Sequence, residues 1–288
     1  MWGVMAVNPE IVLRRARQED REKVVWVESL STPNLSYVPH VWDMFLDDTE
    51  GDWTVAEIEG EVIGCGKYSI LPDGSAWLET LRVVPHRQGL GVGKRLYEHW
   101  LEASREKGVK TMRMYTGVRN VVSKGLAEQY GLRTAETFRG TLMKSDPGKV
   151  DAEYDFRRVV DHRKAAELLM RHSAAWGGWQ VMNRIFYKLS PMLCAHLAER
   201  GMVYEDLDTE SVIAMGARFM PRHGLHIGLF AGDTEACLGF AMQTAVERGI
   251  ERLHCLFPSH IPCVEESLTG FGFRLEPADF MVLEVHLE

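Results

Sequence analysis

Apolar side chains along this chain follow two alternating periods, and each change of period marks an element. Residues 11–16 (Ile11-Val12-Leu13-Arg14-Arg15-Ala16) read as a strand, and residues 19–30 space their apolar positions as a helix does. An irregular stretch, 31–39, leads to a second helix near 41–46. Residues 53–58 and 62–70 alternate with period two and are joined by Glu59-Gly60-Glu61, which predicts a hairpin. A strand at 76–84 closes at Pro85, and a helix runs from Lys94 towards Lys107. A strand at 111–116, a helix near 121–129 and a strand at 138–144 follow. Ser145-Asp146-Pro147-Gly148-Lys149 has the turn residues of a linker.

The plan then restarts. Phe156-Arg157-Arg158-Val159 echoes Leu13-Arg14-Arg15-Ala16, and the segment from Glu247 to Leu253 echoes that from Glu106 to Met112. Gly272-Phe273-Arg274 echoes Gly131-Leu132-Arg133 at a closely similar offset. These echoes predict a degenerate internal duplication, with chance likeness of two α/β units as the alternative. The expected architecture is α/β: two domains in tandem, 1–145 and 152–288, each a mixed central sheet flanked by helices.

Between the strand at 76–84 and its helix lies Gln88-Gly89-Leu90-Gly91-Val92-Gly93. A Gly-rich turn from strand to helix aims backbone N–H groups at one spot, and the helix N-terminus adds partial positive charge, so the expected ligand bears phosphate. No Gly-Lys-Ser/Thr follows, which argues against an NTP-binding P-loop, and the glycine spacing is wrong for a dinucleotide fingerprint. The second half reaches its corresponding helix through Ala231-Gly232-Asp233-Thr234-Glu235, which is shorter and places two acids where phosphate would lie.

Composition narrows the picture further. The chain has 288 residues, 45% hydrophobic, and a formal net charge of −8. That charge speaks against broad nucleic-acid binding and against a basic membrane-docking surface. No apolar run is long enough to cross a membrane, and no signal peptide is evident. The five cysteines lack a disulfide-scaffold spacing, which fits a reducing cytoplasm. His254, Cys255, His260 and Cys263 cluster in sequence without a zinc spacing, so no metal is expected.

The run Gln88-x-x-Gly91-x-Gly93 after a strand ending Val83-x-Pro85 resembles the pyrophosphate signature of the GNAT N-acetyltransferases. The resemblance implies acetyl-CoA as co-substrate. It would be held by Gln88, Gly89, Leu90, Gly91, Val92, Gly93 and Lys94, with Leu81, Arg82 and Val83 along the pantetheine arm and Asn120 on the following helix. On that reading Glu79 lies on the thioester-lining strand and is the candidate base, since a carboxylate beside the reacting centre can take the amine proton. The alternative is an exposed strand glutamate on a sheet face. Strand alternation groups Glu79 with Leu81 and Val83, unless a bulge intervenes. The family often carries a tyrosine acid seven residues after the asparagine. Here that position is Ala127, and Tyr130 reads as a packing residue, so no tyrosine acid is assigned.

Tyr37 and Trp42 lie in the irregular aromatic segment and are candidate substrate contacts, with core anchoring as the other reading of Trp42. Trp176-Gly177-Gly178-Trp179 carries the same ambiguity. Tyr37-x-Pro39 with Trp42, then 77–85, then a second half with a shortened loop, is similar to the histidine N-acetyltransferase group and its prokaryotic relatives. Thr80 and Gln88 depart from that group, where Gly and Arg are usual. The resemblance implies a free amino acid or similar small primary amine as acceptor. A protein N-terminus or lysine, or an acetyl-CoA sensor without catalysis, are the rivals. The second half is expected to cover the first, shape the acceptor pocket or support a homodimer.

Overall fold

The period-two segments become strands and the helical ones helices, within a residue or a few of the expected bounds. The computed structural model describes residues 9–288 except 34 and 151. In chain order the elements are β1 (Val12–Arg15), α1 (Arg21–Ser31), α2 (Val38–Leu46), β2 (Asp52–Ile58), β3 (Glu61–Ile70), β4 (Ala76–Val83), α3 (Val92–Glu106), β5 (Thr111–Gly117), α4 (Val121–Gln129) and β6 (Arg133–Lys144). There follow β7 (Arg157–Arg158), α5 (His162–Arg171), β8 (Trp179–Met182), β9 (Ile185–Lys188), α6 (Pro191–Glu199), β10 (Val203–Asp206), β11 (Ser211–Gly216), β12 (Leu225–Ala231), α7 (Thr234–Glu247), β13 (Arg252–Pro258), α8 (Pro262–Phe271), β14 (Arg274–Leu275) and β15 (Phe280–His286). The hairpin at Glu59-Gly60 forms as expected, with φ of 53° and 78°.

The chain forms two compact units. The first comprises Met1–Met114, Val121–Arg133 and Leu283–Glu288; the second comprises Tyr115–Asn120 and Thr134–Val282. In the first, β1, β2, β3 and β4 are antiparallel neighbours and β4 pairs β5 in parallel. In the second, β7, β10, β11 and β12 are antiparallel neighbours and β12 pairs β13 in parallel. The same order and sense in each is the internal duplication seen as strand topology: tandem mixed sheets flanked by helices. The echo continues at the edge: the end of β15 flanks β5 in the first unit, and most of β6 pairs β13 in the second.

Each unit has its own aromatic core. Trp42, Phe45, Trp53, Tyr68, Trp77 and Trp100 are inaccessible in the first. In the second, Trp176 and Trp179 are buried, and the Trp176 indole donates to Phe230 O at 3.0 Å, so the aromatic turn is a core anchor. No helix among the described residues is long and apolar enough to cross a membrane.

Candidate active site

The site in the first unit starts from an irregularity in β4. Glu79 is opposite Lys67 and Arg82 opposite Cys65, so Thr80 and Leu81 together face one residue of β3. This is a bulge, and it breaks the expected grouping of Glu79, Leu81 and Val83 on one face. Thr80 takes φ 59°, in the left-handed region. The parallel ladder to β5 runs from Ala76↔Met112 to Leu78↔Met114, and the bulge follows directly. A bulge there leaves the main chain of 79–83 on that side outside the ladder.

Glu79 is buried, with 8% of its surface exposed. Its carboxylate is held at both oxygens: Tyr37 Oη donates to Oε2 at 2.8 Å and Ser69 Oγ donates to Oε1 at 3.1 Å. The setting of the carboxylate is thus polar. Tyr37 is aimed by its own backbone. The Tyr37 and Val38 N–H groups donate to Glu28 Oε2 at 2.9 and 3.0 Å, so a carboxylate from α1 meets the first donors of α2. Neither Ser69 nor Glu28 was predicted. Ser69 sits in an alternating strand like any other polar residue, and Glu28 in a helix like any surface acid; only their partners set them apart.

After β4 the chain makes a 3₁₀ turn, Pro85–Arg87, and Gln88 Nε2 donates back to Val83 O at 3.2 Å. The turn at 89–91 needs positive φ: 82° at Gly89 and 98° at Gly91. A Cβ at Gly89 would meet nothing within 4 Å, so that face of the loop is open. No side chain caps α3, whose N-cap is Gly91. Its first-turn N–H groups therefore have no intrahelical or capping acceptor and form an anion cradle. Gly93 serves packing instead: a Cβ there would come within 2.9 Å of Leu126 on α4.

Residues 14–132 match the family model for the acetyltransferase (GNAT) family. Over 121 residues the chain is 34% identical to a phosphinothricin N-acetyltransferase of Streptomyces viridochromogenes, covering 39% of this chain and 64% of that protein's length. Over nearly the whole chain the fold is that of a GCN5-related N-acetyltransferase from Sphaerobacter thermophilus, at 12% identity and TM-score 0.65, covering 96% of this chain and 95% of the other. It is also like that of a tandem GNAT protein from the clavulanic acid biosynthesis pathway, at 13% identity and TM-score 0.60, covering 96% of this chain and 98% of the other.

Within and around the matched residues the other expected site residues separate. Leu81 lies under the Gly93 position, its side chain 3.9 Å from where a Cβ would be, and Val83 is buried. The Arg82 guanidinium donates to Leu81 O at 3.0 Å. Leu90 and Lys94 flank the cradle, half-buried and exposed respectively, and Val92 is buried at the start of α3. Asn120 is exposed just ahead of α4 and groups with the second unit; its N–H donates to Gly117 O at 2.9 Å. Trp42 is inaccessible, packs edge-on to Trp53 and donates from Nε1 to Gln18 at 3.1 Å, so it is a core anchor and offers an acceptor no surface. Ala127 is buried. Tyr130 stacks on Tyr97 at 5.0 Å and donates to Lys94 O at 3.0 Å, which is the packing role expected of it.

In the second unit the loop before α7 is closed to an anion. Asp233 is the N-cap and its carboxylate accepts from Ala236 N–H at 3.0 Å. The first-turn donor that a phosphate would use is already met by a negative group. No group of three His, Cys, Asp or Glu side chains among the described residues is placed to hold a metal ion.

Proposed function

We propose that the protein transfers the acetyl group of acetyl-CoA to a primary amine on a small molecule, with residues 1–145 as the catalytic half and 152–288 as a degenerate one. The observation that carries this reading is the pairing of an uncapped helix N-terminus at 88–94 with a buried, doubly held carboxylate at the β4 bulge. The N-acetyltransferase named among the relatives supports the reaction class, and a small-molecule acceptor with it.

The pyrophosphate of acetyl-CoA sits on the backbone of 88–94, where N–H donors and the helix dipole meet its charge. The pantetheine arm runs along 81–83, whose main chain lies beyond the β4–β5 ladder. The amine nitrogen attacks the thioester carbonyl carbon, the new C–N bond forms, the C–S bond breaks and the sulfur leaves as thiolate. Glu79 takes the proton that the amine loses, directly or through water. Tyr37 and Ser69 hold its two oxygens so that the carboxylate does not swing away. The acceptor in this reading is a free amino acid such as histidine.

An acceptor screen decides it. Free coenzyme A thiol is monitored while amino acids, other small amines, lysine peptides and peptides with free N-termini are offered with acetyl-CoA. Thiol release that depends on a small amine, with the acetylated amine found by mass spectrometry, is the expected result. Release only with peptides would move the acceptor to proteins. Binding of acetyl-CoA with no transfer to any amine would leave a sensor.

A further inference from the structure

One face of the second unit's sheet carries a polar cluster that acetyl transfer does not use. His226 on β12 is opposite His254 on β13, and their imidazoles stack at 5.0 Å. Two residues along, Gly228 and Leu256 face the same way, and Leu256 is opposite Gly140 of β6. The two glycines are seats for two side chains. A Cβ at Gly228 would lie 2.6 Å from Gln180 Cγ, and one at Gly140 would lie 2.8 Å from Glu276 Cδ. The repeat makes Gly228 telling. Ile227 is opposite Cys255 as Leu78 is opposite Met114, so Gly228 stands where the first unit has Glu79.

Arg184 completes the group. It donates from Nη2 to Glu276 Oε2 at 2.7 Å and lies over the Phe280 ring at 4.3 Å. Yet the cluster is unfinished. Gln180 is 1% exposed, and neither atom of its amide has a hydrogen-bond partner among the described residues. Arg184 Nη1 and Glu276 Oε1 are buried and unmet in the same way. Buried polar groups left without partners are costly to the fold. Arg184 is also held at φ 59°, after Asn183 at 50°, in the two-residue turn between β8 and β9. Gly is the favoured residue at that second position, so arginine is kept there against local strain.

We propose that this cluster binds a free α-amino acid, the carboxylate on Arg184 Nη1 and Gln180 Nε2 and the ammonium on Glu276 Oε1 and Gln180 Oε1. The unmet atoms are a cationic donor, an anionic acceptor and the two ends of a neutral amide. A zwitterion satisfies all of them and adds no net charge. A simple anion would face Glu276, and a simple cation would face Arg184. The two imidazoles do not alter the balance, because burial pushes both towards the neutral form, His226 down to about 3. Arg184 is the member of the group that reaches solvent, its side chain 36% exposed. This site is independent of acetyl transfer and stands or falls without it.

The test is calorimetry and thermal shift on the full chain with the common L-amino acids one at a time, each beside its methyl ester and N-acetyl form. At least one amino acid should bind and raise the melting temperature. Removing either charge of the ligand should weaken it about ten-fold or more, the loss of one charged hydrogen bond. Arg184→Gly should weaken binding similarly, and so should Arg184→Lys, which keeps a cation beside the buried Glu276 carboxylate and so keeps the free variant folded by circular dichroism, but lacks the guanidinium's second arm. Glu79→Gln should keep the affinity, which separates this site from the acceptor site. No binding at millimolar amino acid, binding untouched by Arg184→Gly, or binding lost with Glu79→Gln would each overturn the proposal. So would a crystal grown with the amino acid that shows only water on the four atoms.

Discussion

Thr80 is β-branched and sits at φ 59°, a conformation such residues rarely adopt. Its Oγ1 is buried without a hydrogen-bond partner among the described residues. The glycine usual there in the histidine N-acetyltransferase group would meet the backbone demand freely. Thr80→Gly is therefore expected to stabilise the chain by about 1 kcal/mol, less the extra chain entropy of glycine, seen as a higher denaturation midpoint. A lower midpoint would mean that the threonine side chain supports the bulge. At its neighbour, Glu79→Gln keeps the shape and removes the basicity. Turnover should fall by roughly ten- to a thousand-fold, with acetyl-CoA affinity nearly unchanged. Parental turnover at neutral pH would take Glu79 out of the proton path. The candidacy of Glu79 was legible from its strand together with the family resemblance; its partners Tyr37 and Ser69, 42 and 10 residues away, were not. Trp42 shows the converse, since an aromatic in an irregular segment reads the same in sequence whether it faces a pocket or the core.

At the scale of the element, α3 and α7 differ in who occupies their N-terminal donors. Gly91 begins α3 with no side-chain cap, whereas the Asp233 carboxylate caps α7. Gly91→Val would force a β-branched residue to φ 98° and distort the cradle. Acetyl-CoA affinity measured by calorimetry should fall well beyond ten-fold, while far-UV circular dichroism stays parental, because the change lies in a turn. An unaltered affinity would place the pyrophosphate elsewhere. Here the local sequence carried most of the information. Backbone demands at a strand–turn–helix junction are met by residues adjacent in the chain, so glycines at fixed spacing identify the turn. The bulge in β4 was less legible, because it depends on which β3 residue lies opposite.

At the scale of the molecule, the last strand matters to the first unit. Leu287 N–H donates to Lys110 O at 2.9 Å, and Glu284 meets Arg113, 6% exposed, at 2.9 Å. A chain ended at Ser145 would lose both and leave a buried guanidinium short of a partner. It should be insoluble or fail to melt cooperatively; a soluble, cooperatively folded, active fragment would show that the first unit does not need 283–288. Acid should loosen the second unit through its stacked histidines. His226 and His254 are pushed below the ordinary value of 6.5 by burial, His226 to about 3. Between those values the unfolded chain binds more protons than the folded one, so stability falls as pH drops from 6.5 towards 3. The melting temperature should decline across that range, and less steeply in a His226→Asn variant. An equal slope in that variant would assign the decline to other groups.

The amino-acid sequence was enough for the α/β class, the order of elements in the first half, the duplication and the glycine turn. Each of these is written in local periods and turn residues or in a repeat offset, and needs no knowledge of distant partners. Folding was needed to show that Trp42 is core, that Tyr37 and Ser69 meet on Glu79, that residues 134–144 group with the second unit and 283–288 with the first, and that Gln180 and Glu276 fill the spaces over Gly228 and Gly140 while Arg184 pairs with Glu276. These are contacts between residues far apart in the chain, set by strand register and by which side chain fills the space a glycine leaves open.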